Sequence, residues 1–238
     1  MGTTGNVTAV FLQARIDSTR LPGKALLKLR DKTVIEHAME RLGKIGAAYN
    51  VLLTDKESFP VLRPYAEKWG FSVFAGPRDD VLARYALALK KYPAHTVIRA
   101  TGDNPLVSWD LAEKILKYHL KHGGDYSGFL KIPLGMGVEA VRSRALLYAH
   151  EHAGDPYERE HVCPFLYRRP EQFLCLRPEI TGPLRLPDAR ITLDTSEDYT
   201  FLKHLFRDLY RGQPPGDLDV AAWLKNHSVK PSFSQLAV

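Results

Sequence analysis

An α/β fold built on a mainly parallel sheet is the class this sequence predicts, and three observations predict it. Short apolar runs alternate with amphipathic segments of helical period through the first half of the chain. The connections between them are brief and rich in Gly, Pro, Asp and Asn. Charge gathers in loops that follow strands, which is where open α/β sheets hold their ligands.

Residues 7–12 have the length and β-branched content of a buried first strand. The loop after it carries Arg15, Arg20 and Lys24, with Pro22 and Gly23 supplying turn geometry. Thr33 caps a predicted helix through Gly46, in which Val34, Ile35, Ala38, Met39, Leu42 and Ile45 form one apolar stripe. Residues 50–54 are a second strand. Residues 58–69 are a helix whose start is constrained by Pro60 and Pro64. Residues 71–74 form a third strand, and Asp79 is the expected cap of a helix over 80–91. The fourth strand, 95–100, closes in the loop 101–105, and Ser108 opens a helix to about His122.

The second half is less regular. Strands are predicted at 125–129, 137–141, 173–176 and 191–193, with helices at 143–152, 157–168, 196–210 and 217–226. No repeat or linker interrupts the chain, so residues 1–238 read as one domain, with an excursion at about 125–176 for acceptor binding or dimerisation.

Composition narrows the function. At 238 residues, 45% hydrophobic and 25% charged, the chain is an ordinary globular protein. No apolar run approaches the ~18 residues of a membrane span, and no signal-peptide pattern opens the sequence, so a cytoplasmic setting is expected. Cys163 and Cys175 suggest neither a disulfide framework nor a metal-ligand spacing. The net charge of +6 suits an anionic small molecule. Nucleic acid ranks lower, because the basic residues are scattered without aromatic interleaving.

The cations after the first strand form a natural receptor for a polyphosphate, since arginine forks pair with phosphate oxygens and lysine adds a mobile point charge. A Walker P-loop is excluded. Ser18 stands where its first glycine belongs, and Ala25 replaces the hydroxyl that would hold magnesium. Asp103 and Asp194 each follow a predicted strand directly. Two such carboxylates can converge on one Mg²⁺ with substrate phosphates. Each alone reads better as a turn or cap residue; it is their pairing beside the cationic loop that favours a site.

Several blocks then carry a resemblance. QARIDSTRLPGK (13–24) resembles the nucleotide-binding signature of the cytidylyltransferases that activate acidic sugars, the acylneuraminate and 3-deoxy-manno-octulosonate enzymes. The nearest likeness is to the branch serving spore-coat polysaccharide biosynthesis. It extends over GPRDDVLARY (76–85), RATGDNPLV (99–107), GVEAV (137–141), YEREHVCPFLY (157–167) and ITLDTSEDY (191–199). The resemblance implies a nucleotide-diphospho-sugar transferase fold, a Rossmann-like three-layer α/β/α sandwich with a mixed, mainly parallel sheet. It also implies transfer of CMP from CTP to a sugar, acidic or modified, with release of pyrophosphate.

By the same resemblance, Arg15, Arg20 and Lys24 hold the triphosphate together with Ser18 of their loop, and Asp103 and Asp194 hold Mg²⁺. Ala14 helps read cytosine, and Arg78 and Asp80 lie near base and ribose. Arg15, Lys24, Asp103 and Asp194 are the catalytic set. Glu139, Arg159, Glu160 and His161 are candidates for the small-molecule acceptor, although Arg159 and Glu160 read equally as a solvated helix face and His161 as a core-edge histidine. Relatives also suggest a homodimer. One departure is Thr101-Gly102, where the acylneuraminate and octulosonate enzymes tend to carry a glutamine, which leaves base selection open. The alternatives are the same fold using another NTP or a phosphorylated non-sugar acceptor, and a nucleotide-binding regulatory protein without turnover.

Overall fold

Alternating strand and helix set the architecture in the computed structural model, which describes residues 7–227. The elements are, in order, β1 (Thr8–Gln13), β2 (Lys28–Leu29), β3 (Lys32–Thr33), α1 (Val34–Leu42), β4 (Tyr49–Thr54) and α2 (Phe59–Lys68). Next come β5 (Ser72–Ala75), α3 (Val81–Lys91), β6 (Thr96–Thr101), α4 (Trp109–His122), β7 (Tyr126–Gly128) and β8 (Glu139–Arg142). The rest are α5 (Ser143–His152), α6 (Pro156–His161), α7 (Pro164–Tyr167), β9 (Cys175–Leu176), α8 (Ser196–Leu209) and α9 (Asp217–Asn226).

Seven strands form one mixed sheet in the order β5-β4-β1-β6-β8-β7-β9. β5, β4, β1 and β6 run parallel, β8 is antiparallel to both β6 and β7, and β9 pairs parallel with β7. The chain leaves β1 toward β4 on one side and returns to β6 on the other. That reversal opens a crevice at the carboxyl ends of β1 and β6, the usual ligand position in such sheets. Residues 125–176 supply β7, β8 and β9 to this same sheet.

Alternating strand residues face opposite layers. Val10, Leu12, Leu52 and Ile98 pack against α1, α2 and α4 through Ile35, Met39, Leu62 and Ile115. Phe11, Val51, Leu53 and Val97 pack against α3, α5 and α7 through Leu82, Tyr85, Leu146 and Phe165. A third cluster joins α8 and α9 to Leu29, Val34, Ile191 and Leu193. Arg41 fixes that last layer. Its buried guanidinium bonds the carbonyls of Val107 and Pro215 and pairs with Asp217 at 2.8 Å.

The caps explain where helices begin. Thr33 and Glu36 form a capping box on α1, Ser108 caps α4, and Thr195 and Asp198 box α8. α3 differs from expectation, because Asp80, not Asp79, is its cap, with Oδ1 accepting from Ala83 N at 2.9 Å. The helix predicted at 157–168 is two, broken where Val162 adopts φ 73° and Pro164 opens the second. Residues 191–193 are not a strand. They follow the single bridge Leu134–Arg190 and then turn toward the β6 loop, with Leu193 N donating to Asp103 O at 2.9 Å. The hairpin β2–β3, too short to carry a period, was not anticipated.

His119 on α4 makes stability depend on pH. Its Nδ1 shares a hydrogen bond with Ser127 Oγ at 2.8 Å, while Nε2 is buried without a partner among the described residues. Burial, reinforced by Arg142 and His95 and only partly offset by Asp125, lowers its pKa from 6.5 to about 4. Between those values the unfolded chain holds a proton that the native one does not. Its contribution is thus complete above pH 6.5 and is lost as pH falls toward 4. Urea titrations across that window should show His119→Asn with a shallower decline than wild type, the difference reaching up to about 3 kcal/mol.

Candidate active site

The loop between β1 and the turn at Lys24–Leu26 is folded back by its own backbone, Gly23 N donating to Ile16 O at 2.9 Å. Gly23 sits at φ 67°, the left-handed region that glycine enters without strain. Across the crevice, Gly102 N donates to Gln13 O at 2.8 Å. A Cβ on Gly102 would meet Ala14 Cβ at 2.8 Å and Ile35 Cδ1 at 2.7 Å, so only glycine lets the two loops approach. The TGDNP segment is thereby pressed against the cationic loop.

Lys24 is the centre of what results. Its Nζ donates to Asp103 Oδ2 at 2.9 Å, Asp194 Oδ1 at 2.8 Å and the Leu193 carbonyl at 2.9 Å. All three side chains are mostly buried. Arg20 Nη2 reaches the same Asp194 oxygen at 3.2 Å, and Arg190 pairs with the other. Burial alone would raise the Asp194 carboxyl. The hydrogen bond and charge of Lys24, with Arg190 and Arg20, outweigh it and hold the group below the usual carboxylate range.

A cleft of about 560 Å³ surrounds this cluster. One wall carries Ala14, Arg15, Ser18, Arg20 and Lys24 from the first loop, with Asp103 and Asp194. Arg78 and Asp79 close one side, Arg78 paired with Asp17, which also lies 3.9 Å from Arg15 Nε. Glu160 and His161 at the end of α6 close the other. Burial is the main reason that the His161 pKa is lowered, which favours the neutral imidazole.

Three candidates stand outside this lining. Asp80 is spent on structure, capping α3 and accepting from Arg159 Nε at 2.8 Å. Arg159 is spent on that pair and on the Ala153 and His150 carbonyls. Glu139 lies behind the wall, where it takes Arg99 Nη1 on one oxygen and Tyr126 OH at 2.9 Å on the other.

Arg99 lines the cleft, and the sequence reading did not single it out. Its Nε donates to Gln13 Oε1 at 3.2 Å, and Tyr85 OH donates to the same oxygen at 3.0 Å. The wall is therefore held by a buried chain from Tyr126 through Glu139, Arg99 and Gln13 to Tyr85. A charged residue inside the apolar strand TVIRAT was the available signal, because a buried charge needs a partner.

The donor set suits a hard divalent cation. Two carboxylate oxygens and a carbonyl already converge on one cationic atom. Among the described residues no three His, Cys, Asp or Glu side chains gather as a metal site, so the side chains available at this point are the two aspartates.

Comparison with known proteins adds an independent line. A family model described as Cytidylyltransferase matches residues 9–214. The chain is 32% identical over 205 residues to the spore coat polysaccharide biosynthesis protein SpsF of Bacillus subtilis, covering 83% of this chain and 85% of that one. It is 36% identical over 191 residues to the uncharacterized protein MJ1063 of Methanocaldococcus jannaschii, covering 79% of each. Among solved structures, a cytidylyltransferase from Leptospira borgpetersenii aligns with a TM-score of 0.85 at 28% identity, over 97% of this chain and 99% of that one.

Proposed function

The chain belongs to the cytidylyltransferase family, and from that membership we propose that it transfers CMP from CTP to a sugar, acidic or otherwise modified, releasing pyrophosphate. One observation carries the assignment of the site: Asp103 and Asp194, distant in sequence, meet at Lys24 in a cleft whose nearest loop supplies Arg15 and Arg20. The surface-polysaccharide destination of the product rests on the likeness to SpsF, and a cytoplasmic setting goes with it.

In this reading the acceptor hydroxyl attacks the α-phosphorus in line. A new P–O bond forms as the bond to the bridging oxygen of pyrophosphate breaks. Arg15, Arg20 and Lys24 neutralise the charge that builds on the departing pyrophosphate. Mg²⁺ between Asp103 and Asp194 would supply further charge neutralisation on the phosphate oxygens when bound. His161, neutral and at the cleft wall, takes the hydroxyl proton on a ring nitrogen. Glu139 is unsuited to that task, since both its oxygens are engaged. Ala14 and the loop backbone contact the base, with Arg78 near the ribose.

Pyrophosphate release, measured for each of four NTPs against a panel of sugar acids, neutral sugars and sugar phosphates with Mg²⁺, tests the proposal. CTP with a sugar acid or modified sugar should give turnover that EDTA abolishes. Turnover restricted to another NTP, or only with a phosphorylated non-sugar, would replace the reading.

A further inference from the structure

The hydrogen bonds of Lys24 leave it no donor for a phosphate. An ammonium carries three N–H groups, and here they go to Asp103 Oδ2, Asp194 Oδ1 and the Leu193 carbonyl. Two carboxylates this close repel unless a cation lies between them, and the only ammonium nitrogen within 3 Å of both, among the described residues, is Lys24 Nζ, at 2.9 and 2.8 Å. Arg20 and Arg190 reach Asp194 but form no pair with Asp103. The three oxygens are the types a hard divalent ion selects.

We propose that Lys24 is a resident stand-in for the metal. Before substrate arrives, its ammonium holds Asp103, Asp194 and the Leu193 carbonyl around one cationic centre and keeps the free divalent ion out. When a nucleotide with its metal enters, the ammonium swings on its flexible stem to the phosphates and yields the oxygens to the ion. The metal therefore binds with the nucleotide and not ahead of it. This role of a positioning residue rests on the cytidylyltransferase reading of the cleft and adds an order of binding to it.

The test uses Mn²⁺ as probe, followed by calorimetry and by the spectrum of the free ion. Wild type should bind Mn²⁺ weakly alone and at least about tenfold more tightly with CTP present. Lys24→Met, which removes the charge and keeps the stem, should bind Mn²⁺ alone at least about tenfold more tightly than wild type. Lys24→Arg, which keeps the charge, should stay as weak as wild type. Thermal melts with and without MnCl₂ repeat the comparison, with stabilisation by the ion alone confined to Lys24→Met. If CTP promotes Mn²⁺ binding in wild type but Lys24→Met gains nothing, the stand-in role is wrong and the nucleotide site survives. If wild type binds neither CTP nor Mn²⁺ in each other's presence, both fall together.

Discussion

Asp103→Ala should lower turnover by roughly 10²–10³-fold, the scale on which removing one preorganised electrostatic group acts in a shielded site. Asp103 gives one of the two carboxylates that meet at Lys24, and no neighbouring acid replaces it among the described residues. The fold should survive, because the tie between its loop and the 190s is made by backbone, Leu193 N to Asp103 O at 2.9 Å. A melting temperature near that of wild type, with pyrophosphate release reduced to that extent, is the expected pair of results. Rates within threefold of wild type would remove Asp103 from the catalytic set.

The largest effect on stability belongs to Arg41. It is 1% exposed, with every polar contact inside the protein. Truncating it strands the Asp217 carboxylate, whose other oxygen accepts from Ser108 Oγ. Breaking a buried pair from one side typically costs about 3–5 kcal/mol. For a chain of this size that is on the order of 10 °C in melting temperature. Arg41→Ala should show this loss, and the double replacement Arg41→Leu/Asp217→Leu should recover part of it, since no unpaired charge is left inside. Equal loss in both would mean that packing against Trp109, over which the guanidinium lies at 4.8 Å, matters more than the charge. Activity per folded molecule should be unaffected, because Arg41 lies outside the cleft.

The legible parts of this protein were those where one local rule decides. β1, α1, α4, α5 and α9 follow from an apolar period plus a cap or a turn residue, and they lie within a few residues of where the sequence puts them. Lys24 and Asp103 were legible as a group because their loops follow β1 and β6, whose carboxyl ends share one sheet edge, and Asp194 joined them only because the apolar run before it mimics a strand. What failed needed tertiary information. The apolar run 191–193 has strand composition, yet its backbone bonds loops instead of the sheet, Ile191 N to Leu134 O and Leu193 N to Asp103 O. The break at Val162 overrides a continuous helical pattern. Asp80 and Arg159 look functional in sequence because they are charged beside a candidate loop. They turn out to satisfy each other and to fasten α6 to α3. Arg99 was passed over for the opposite reason, because its strand reads as core until Glu139 and Gln13 are seen beside it.

The partners of Lys24 lie 79 and 170 residues away along the chain. A polypeptide emerging from the ribosome therefore has its first half, cationic loop included, long before the second acid exists. Any nascent or clipped product ending ahead of Asp194 lacks one of the two carboxylates. If metal uptake depends on the nucleotide as proposed, it is for that reason a signature of completed synthesis, and it would tell intact molecules from folded fragments in a mixed preparation.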